Sequence, residues 1–486
     1  CFRLCRWKGQ KGVPNIMSQL LIKNGHVVTA VDDYHADIFC LDGRIAQIGI
    51  DLGVGDNVEV VDAKGKLVLP GGVDVHTHME NTFGGATTAD TYESGTKAAA
   101  FGGTTTIVDF AAQNKGERLP EAFGRTLERA EPQVGIDFGL HMITTEVNDQ
   151  TLADMKNLIR NEGVTSFKMF MAYPGDVMVD DASIFRAMRL VGHHGGIVTL
   201  HAENGLVIDQ LIREALEAGH TAPKYHELTR PALMEGEATH RGIKLAELAE
   251  APVYFVHLSC RESLKCVVEA RDLRVPVFAE TCPHYLFLDR SLYEDESFNV
   301  AKYVMTPPLR EKEDQEHLWQ ALKFDDLQVI STDHCPFCFR EGYLGLQNQK
   351  SRGKDNFSKI PNGAPGVETR MSIVFDGGVH GQRMSLNRFV QLTATAPSKI
   401  FGLFPKKGTI AVGSDADIVL FDPDEEFTIT ASTHHSRADY TLFEGRKIRG
   451  RVKKVWSRGK KVVDGDEWLG KPGHGCFVKR GQVGGF

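Results

Sequence analysis

The chain predicts an α/β fold: a (β/α)8 barrel of the TIM type with a small β-sheet domain built from both chain ends. Three observations carry this. Short apolar runs alternate with helical patterns through the middle of the 486 residues, eight runs over about 330 positions. Strand-and-turn texture with little helix fills both ends. Ala36-Asp37-Ile38-Phe39-Cys40-Leu41-Asp42 is echoed by Ala416-Asp417-Ile418-Val419-Leu420-Phe421-Asp422, as if the two ends pair in one sheet. A hydrophobic content of 42% supports a large core, and a barrel of this type takes roughly 250 residues as one unit.

The expected division is 1–17 as a disordered or non-native extension, with Met17 as the candidate natural start, then 18–70 as the first part of the sheet domain. Residues 71–402 form the catalytic barrel, 403–465 the second part of the sheet, and 466–486 a tail that offers a possible docking arm. Cys1 to Ile16 is basic and lacks an apolar h-region, so no secretory signal is expected. No run of about 18 apolar residues occurs, so no membrane span is expected either. The net charge of −8 argues against a nucleic-acid partner. The nine cysteines are scattered, and Cys335-x-x-Cys338 has no second pair at ribbon spacing; reduced thiols in a cytoplasmic protein are the expectation.

In the first sheet segment, Leu20-Leu21-Ile22, Val27-Val28-Thr29, Ala36–Cys40, Ile45–Ile48 and Val58–Val61 are separated by Asn24-Gly25, Asp42-Gly43 and Gly53-Val54-Gly55. The barrel then opens with Val73-Asp74-Val75-His76-Thr77-His78 after a Pro70-Gly71-Gly72 turn. An alanine-rich helix stopping at Gly102-Gly103 precedes the strand Thr104–Asp109. Further strands are expected at Ile136–Ile143, Thr165–Met171, Gly196–His201, Pro252–His257, Val275–Ala279 and Gln328–Thr332, with helices such as Leu206–Ala218 and His240–Ala249 between them. Gly342–Gly366 reads as a long irregular loop suited to a lid or rim. The basic run Arg446–Lys454 reads as a solvated strand or subunit contact.

Chemistry collects at the strand ends. His76 and His78 share one strand face, within reach of a common metal ion. Lys168 lies amid Phe167, Met169 and Phe170. Other strands end in His201-Ala202-Glu203-Asn204, in His257-Leu258-Ser259 and in Asp333-His334. A barrel brings such ends together at its active face. Each residue alone has a structural explanation, as a core histidine or an N-capping aspartate, but five strand ends carrying ligand types do not share one easily. A lysine buried without a partner loses its proton or finds an anion. As a neutral amine it adds carbon dioxide to give a two-oxygen carbamate; the alternatives are a salt bridge or a snorkelling side chain.

These motifs, with Glu280-Thr281-Cys282-Pro283-His284-Tyr285-Leu286 and Pro361–Arg370, resemble the cyclic amidohydrolases from about residue 18 to 465, in their dihydropyrimidinase and D-hydantoinase branch. The resemblance implies two divalent metal ions, usually zinc. His76, His78, carboxylated Lys168 and Asp333 would hold the first, and Lys168, His201 and His257 the second. It implies hydrolytic opening of dihydropyrimidines or 5-substituted hydantoins to N-carbamoyl amino acids. A metal-bridging hydroxide attacks the carbonyl carbon that becomes the free carboxylate, and Asp333 passes its proton to the leaving nitrogen. Tyr173 matches the family tyrosine that donates to the developing oxyanion. Thr306, where many relatives have serine, and Asn362 match positions that hold the cyclic imide, largely through backbone groups. Phe83 and Phe170 are candidate walls for the ring substituent. His284, His334, Glu203, Asp109 and His141 are read as supporting or structural. A homotetramer acting on a small cyclic imide or ureide is the implied assembly.

Two kinds of rival share parts of this pattern. An allantoinase or dihydroorotase is the nearer; the latter carries an arginine soon after the histidine pair, where this chain has Met79-Glu80-Asn81-Thr82. A noncatalytic scaffold resembling the collapsin response mediator proteins shares the fold but lacks the metal ligands present here.

Overall fold

The computed structural model describes residues 19–53, 55 and 58–484; the expected extension 1–17 lies outside them. Eight parallel strands make the barrel: β1 (Gly72–Thr77), β2 (Thr104–Ala112), β3 (Asp137–Ile143), β4 (Ser166–Phe170), β5 (Ile197–His201), β6 (Val253–Phe255), β7 (Val277–Thr281) and β8 (Val329–Ile330). Each pairs with its neighbour in chain order. Their residues are buried nearly throughout. Helices cover the outer face of a parallel sheet, so the strands read as continuous apolar runs rather than as alternation.

The ring closes between β8 and β1 with few ladder bonds. Thr77 bridges His334, and His78 N–H donates to His334 O at 2.8 Å. The buried Asp74 carboxylate takes the Thr332 hydroxyl at 2.7 Å and its N–H at 3.3 Å. A side chain thus replaces a strand partner, and β8 is shorter than the expected Gln328–Thr332.

The helix Tyr92–Phe101 starts at the Thr91 cap, whose side chain and Ser94 cap each other reciprocally. It stops at Gly102-Gly103, as expected; Gly103 has φ 80°, and a Cβ on Gly102 would meet Glu368 O at 2.6 Å. The helices expected at Leu206–Ala218 and His240–Ala249 form as Gly205–Glu217 and as the end of the longer Ala232–Ala249.

The sheet domain joins the two ends of the chain. Leu67–Pro70 runs parallel to Gln19–Val28 on one side and antiparallel to Ile418–Thr428 on the other. One expectation fails here: Asn24-Gly25 does not separate two strands but forms a bulge inside Gln19–Val28. Asn24 takes φ 58°, its N–H donates to Asp37 and its amide to Asp62, so side-chain bonds hold the extra residue in the ladder. The basic run forms the strand Lys447–Ser457, and acids meet its charges: Arg449 with Asp424, Arg451 and Lys453 with Glu425, Lys454 with Asp464.

At the N-terminal end of the barrel, Lys407 Nζ donates to Asp137 at 2.6 Å and Asp417 at 2.7 Å and pairs with Asp415 at 3.0 Å. Arg458 adds a contact to Asp137 at 3.1 Å. The tail lies along β3 of its own chain: Phe138 N–H donates to Cys476 O, and Val478 N–H to Phe138 O. Arg480 follows, donating to Leu140 O at 2.6 Å and Ser166 Oγ at 2.8 Å. Among the described residues no helix is long and apolar enough to cross a membrane.

Candidate metal centre

The strand ends deliver the chemistry. His76 lies in β1 with His78 just beyond it, Lys168 in β4 and His201 at the last position of β5; His257 follows β6 and Asp333 follows β8. All six line one cavity of about 300 Å³, together with Tyr173, Thr306, Asn362, Phe83 and Phe170. Every residue singled out for metal, proton transfer or substrate in the sequence is therefore brought to one place.

Two nitrogen clusters face each other across this cavity. His76 Nε2 and His78 Nε2 each lie 3.1 Å from the same Asp333 oxygen. His201 Nδ1 lies 3.0 Å from His257 Nε2. The rings of His76 and His257 stack with centroids 5.4 Å apart, joining the clusters. Three of the residues take left-handed backbone conformations without being glycine: Tyr173 (φ 65°), His257 (φ 43°) and Asp333 (φ 47°). Such strain persists where the surroundings enforce it, commonly at functional sites.

Electrostatics favour the ligating forms. Burial pulls His78 down to about 4 and His257 well below the ordinary range, so both rings are neutral with a lone pair available. Burial would raise the Asp333 carboxyl, but His76, His78 and His257 outweigh it and hold the group well below the carboxylate range. Lys168 is the exception among the site's charged groups. Burial brings its amine down to about 8, against Asp333 and Glu280. Its Nζ lies over the rings of Phe110 and Phe170, 5.5 and 5.1 Å from their centroids. Among the described residues it makes neither a hydrogen bond nor an ion pair, so the salt-bridge alternative has no support.

This arrangement fits divalent cations. His76, His78 and Asp333 offer ligand atoms within 4.8 Å of one another. His78 Nδ1 and His257 Nδ1 are buried without a partner. Ring nitrogens about 3 Å apart with depressed proton affinity repel through their lone pairs unless a cation or proton lies between them. The other such group among the described residues, Asp137, Asp415 and Asp417, already pairs with Lys407 at its centre.

Neighbouring groups set the orientation of the rings. Glu280 accepts from His76 Nδ1, from Tyr254 Oη at 2.7 Å and from His257 N–H at 3.2 Å. A proton on His76 Nδ1 leaves the Nε2 lone pair aimed into the cavity. Glu203 does the same for His201, accepting from Nε2 at 2.8 Å and from Arg230 at 3.0 Å. The Arg230 guanidinium lies 5.3 Å from the centroid of the Tyr173 ring, and Asn362 Nδ2 donates to Tyr173 Oη at 3.3 Å.

The other flagged residues lie outside the cavity lining. Asp109 accepts from Thr77 Oγ1 and Met79 N–H. His334 bonds Asp90 and the Gly366 amide, His141 bonds Ser166 and Val75 O, and His284 packs on Tyr285. The sequence reading gave no role to Glu280 or Arg230. Glu280 carried a signal: an acid within the apolar strand Val277–Thr281 needs a partner as much as Lys168 does.

Comparison with known proteins agrees with this geometry. The model of the amidohydrolase family matches residues 67–462. A D-hydantoinase of Streptomyces coelicolor is 50% identical over 467 residues, spanning 95% of this chain and 98% of the relative. A dihydropyrimidinase of Rattus norvegicus is 41% identical over 472 residues, spanning 95% and 89%. The crystal structure of dihydropyrimidinase from Brevibacillus agri NCHU1002 superposes with a TM-score of 0.93 at 47% identity, over 96% of this chain and 99% of that one. The chain belongs to the amidohydrolase family, in the branch of the hydantoinases and dihydropyrimidinases.

Proposed function

We propose that the protein hydrolytically opens six-membered dihydropyrimidines or 5-substituted hydantoins, releasing N-carbamoyl amino acids. The observation that carries this is Lys168, an amine with no hydrogen bond or ion pair among the described residues, in the cavity that His76, His78, His201 and His257 also line. Carbon dioxide would convert the neutral amine to a carbamate with release of a proton, giving an anionic side chain whose two oxygens can serve as metal ligands. His76, His78, Lys168 and Asp333 would hold one ion, and Lys168, His201 and His257 the other, with zinc as the proposed metal. Bound there, the pair supplies an activated water as nucleophile.

The chain does the rest. Tyr173 Oη donates to the carbonyl oxygen as negative charge develops on it. Asp333 receives the water proton and delivers it to the departing ring nitrogen. Backbone groups at Thr306 and Asn362 hold the imide edge, and Phe83 with Phe170 walls the ring substituent; the extra methyl of threonine at 306 narrows that side. A cytoplasmic homotetramer is the proposed setting; the free thiols of Cys40, Cys260, Cys266, Cys282, Cys335 and Cys338 support the compartment alone.

The test compares hydrolysis of 5,6-dihydrouracil, hydantoin and allantoin by metal-loaded protein, with metal analysis in parallel. Two ions per chain and ring opening of dihydrouracil or hydantoin are expected. Preference for allantoin would overturn the substrate, and folded protein that binds no divalent ion would overturn the reading.

A further inference from the structure

Lys350 lies in the irregular segment 342–366 and takes no part in the metal chemistry above. It is 0% exposed, and no carboxylate among the described residues pairs with it. Nζ donates instead to two carbonyls, Val304 O at 2.7 Å and Pro361 O at 2.8 Å. Burying an ammonium in this way costs several kcal/mol before its bonds are counted, and burial indeed pulls the amine down to about 7. The placement of a lysine therefore asks for a reason.

The reason lies in what the carbonyls belong to. Val304 is two residues before Thr306 and Pro361 one before Asn362, and both Thr306 and Asn362 line the cavity. A single backbone bond, Gly363 N–H to Val304 O at 3.1 Å, crosses the same gap. The lysine itself is anchored from behind, since its N–H donates to Cys338 O at 3.1 Å. Gln349 beside it accepts from Cys338 N–H at 2.8 Å and donates to Thr87 O at 3.0 Å.

We infer that Lys350 is a positioning residue for substrate recognition. Its two N–H···O bonds fix the separation of the Thr306 and Asn362 segments, so that their backbone groups engage the two sides of one cyclic imide together. The inference rests on the ring-opening reading for the identity of the substrate. It adds that the two recognition segments are set by one amine that never touches the ring.

The experiment compares Lys350→Met with wild type on 5,6-dihydrouracil, measuring KM, kcat and bound metal. The methionine keeps the volume and removes the donors. KM should rise at least about tenfold while kcat falls less than about threefold and metal content holds, because the lost energy belongs to binding common to ground and transition states. Lys350→Gln, which reaches one carbonyl, should give an intermediate KM, and Lys350→Arg should recover part of the loss. Unchanged KM in Lys350→Met, equal loss of kcat with KM intact, or failure of both Met and Gln variants to fold would each overturn the inference. A wild type that opens neither dihydrouracil nor hydantoin would instead refute the ring-opening reading. An active wild type with an indifferent Lys350→Met refutes the positioning role alone.

Discussion

Lys407 and Lys168 are both 1% exposed, yet they stand at opposite ends of the barrel in opposite company. At the N-terminal end, burial works against the Lys407 ammonium, but Asp417, Asp137 and Asp415 outweigh it and hold the group well above its ordinary range. At the C-terminal end Lys168 meets aromatic faces and neutral imidazoles, and burial prevails. The two are equally buried, so the difference lies in the anions supplied. One cluster is closed on itself and ties β3 to the sheet domain. The other leaves its amine without a hydrogen bond or ion pair among the described residues, lowered by burial.

The sharpest break in this contrast is Lys168→Ala. Hydrolysis should fall by at least about 10⁴-fold, with partial recovery when acetate or propionate is added, while the thermal midpoint holds. An alanine variant with full activity would remove the carbamate from the scheme.

Lys407→Met should do the reverse, costing about 3–5 kcal/mol of stability by stranding buried carboxylates, with kcat retained in the folded fraction; denaturant midpoints read it directly. The contribution of Lys407 also has a pH signature. Its folded value is raised, so the stabilisation is complete below the unfolded value of about 10.4 and disappears as pH climbs through the folded value. A stability profile of the wild type should therefore decline above about pH 10.5 more steeply than that of Lys407→Met.

Within the receptive cluster, Tyr173→Phe should lower kcat by about 10²-fold with little change in KM, separating charge stabilisation from binding. Glu280→Gln removes the anion behind His76 and should weaken metal binding roughly tenfold, up to a hundredfold, as measured by chelator competition. Unaltered retention of metal would mean that the ring of His76 is oriented by packing alone.

The barrel was legible because its strands are apolar on both faces and bounded by turn residues, a signal contained within each segment. Ligand residues stood out for a related reason: Lys168 and His201 interrupt apolar runs, where a polar group costs free energy unless it has work to do. What escaped was pairing at long range. Asp74 serves as the partner of Thr332, 258 positions away, and no local pattern announces that a carboxylate will close the ring. Asn24-Gly25 carried a turn signal, and only the side chains of Asp37 and Asp62 decide that it bulges instead. Lys350 likewise acquires meaning only from segments that the fold brings beside it.

The seam of the sheet domain bears on how such a chain comes to be made. Leu67–Pro70 finds its second neighbour in a strand about 350 residues further along. At the usual ribosomal pace of about 5–20 residues per second, its open flank waits roughly 20 to 70 seconds for that partner to emerge. During this interval an unfinished edge is a template for any nascent neighbour. Dilution, or a chaperone that masks residues 67–70, should raise the yield of active enzyme more than any change at the catalytic mouth.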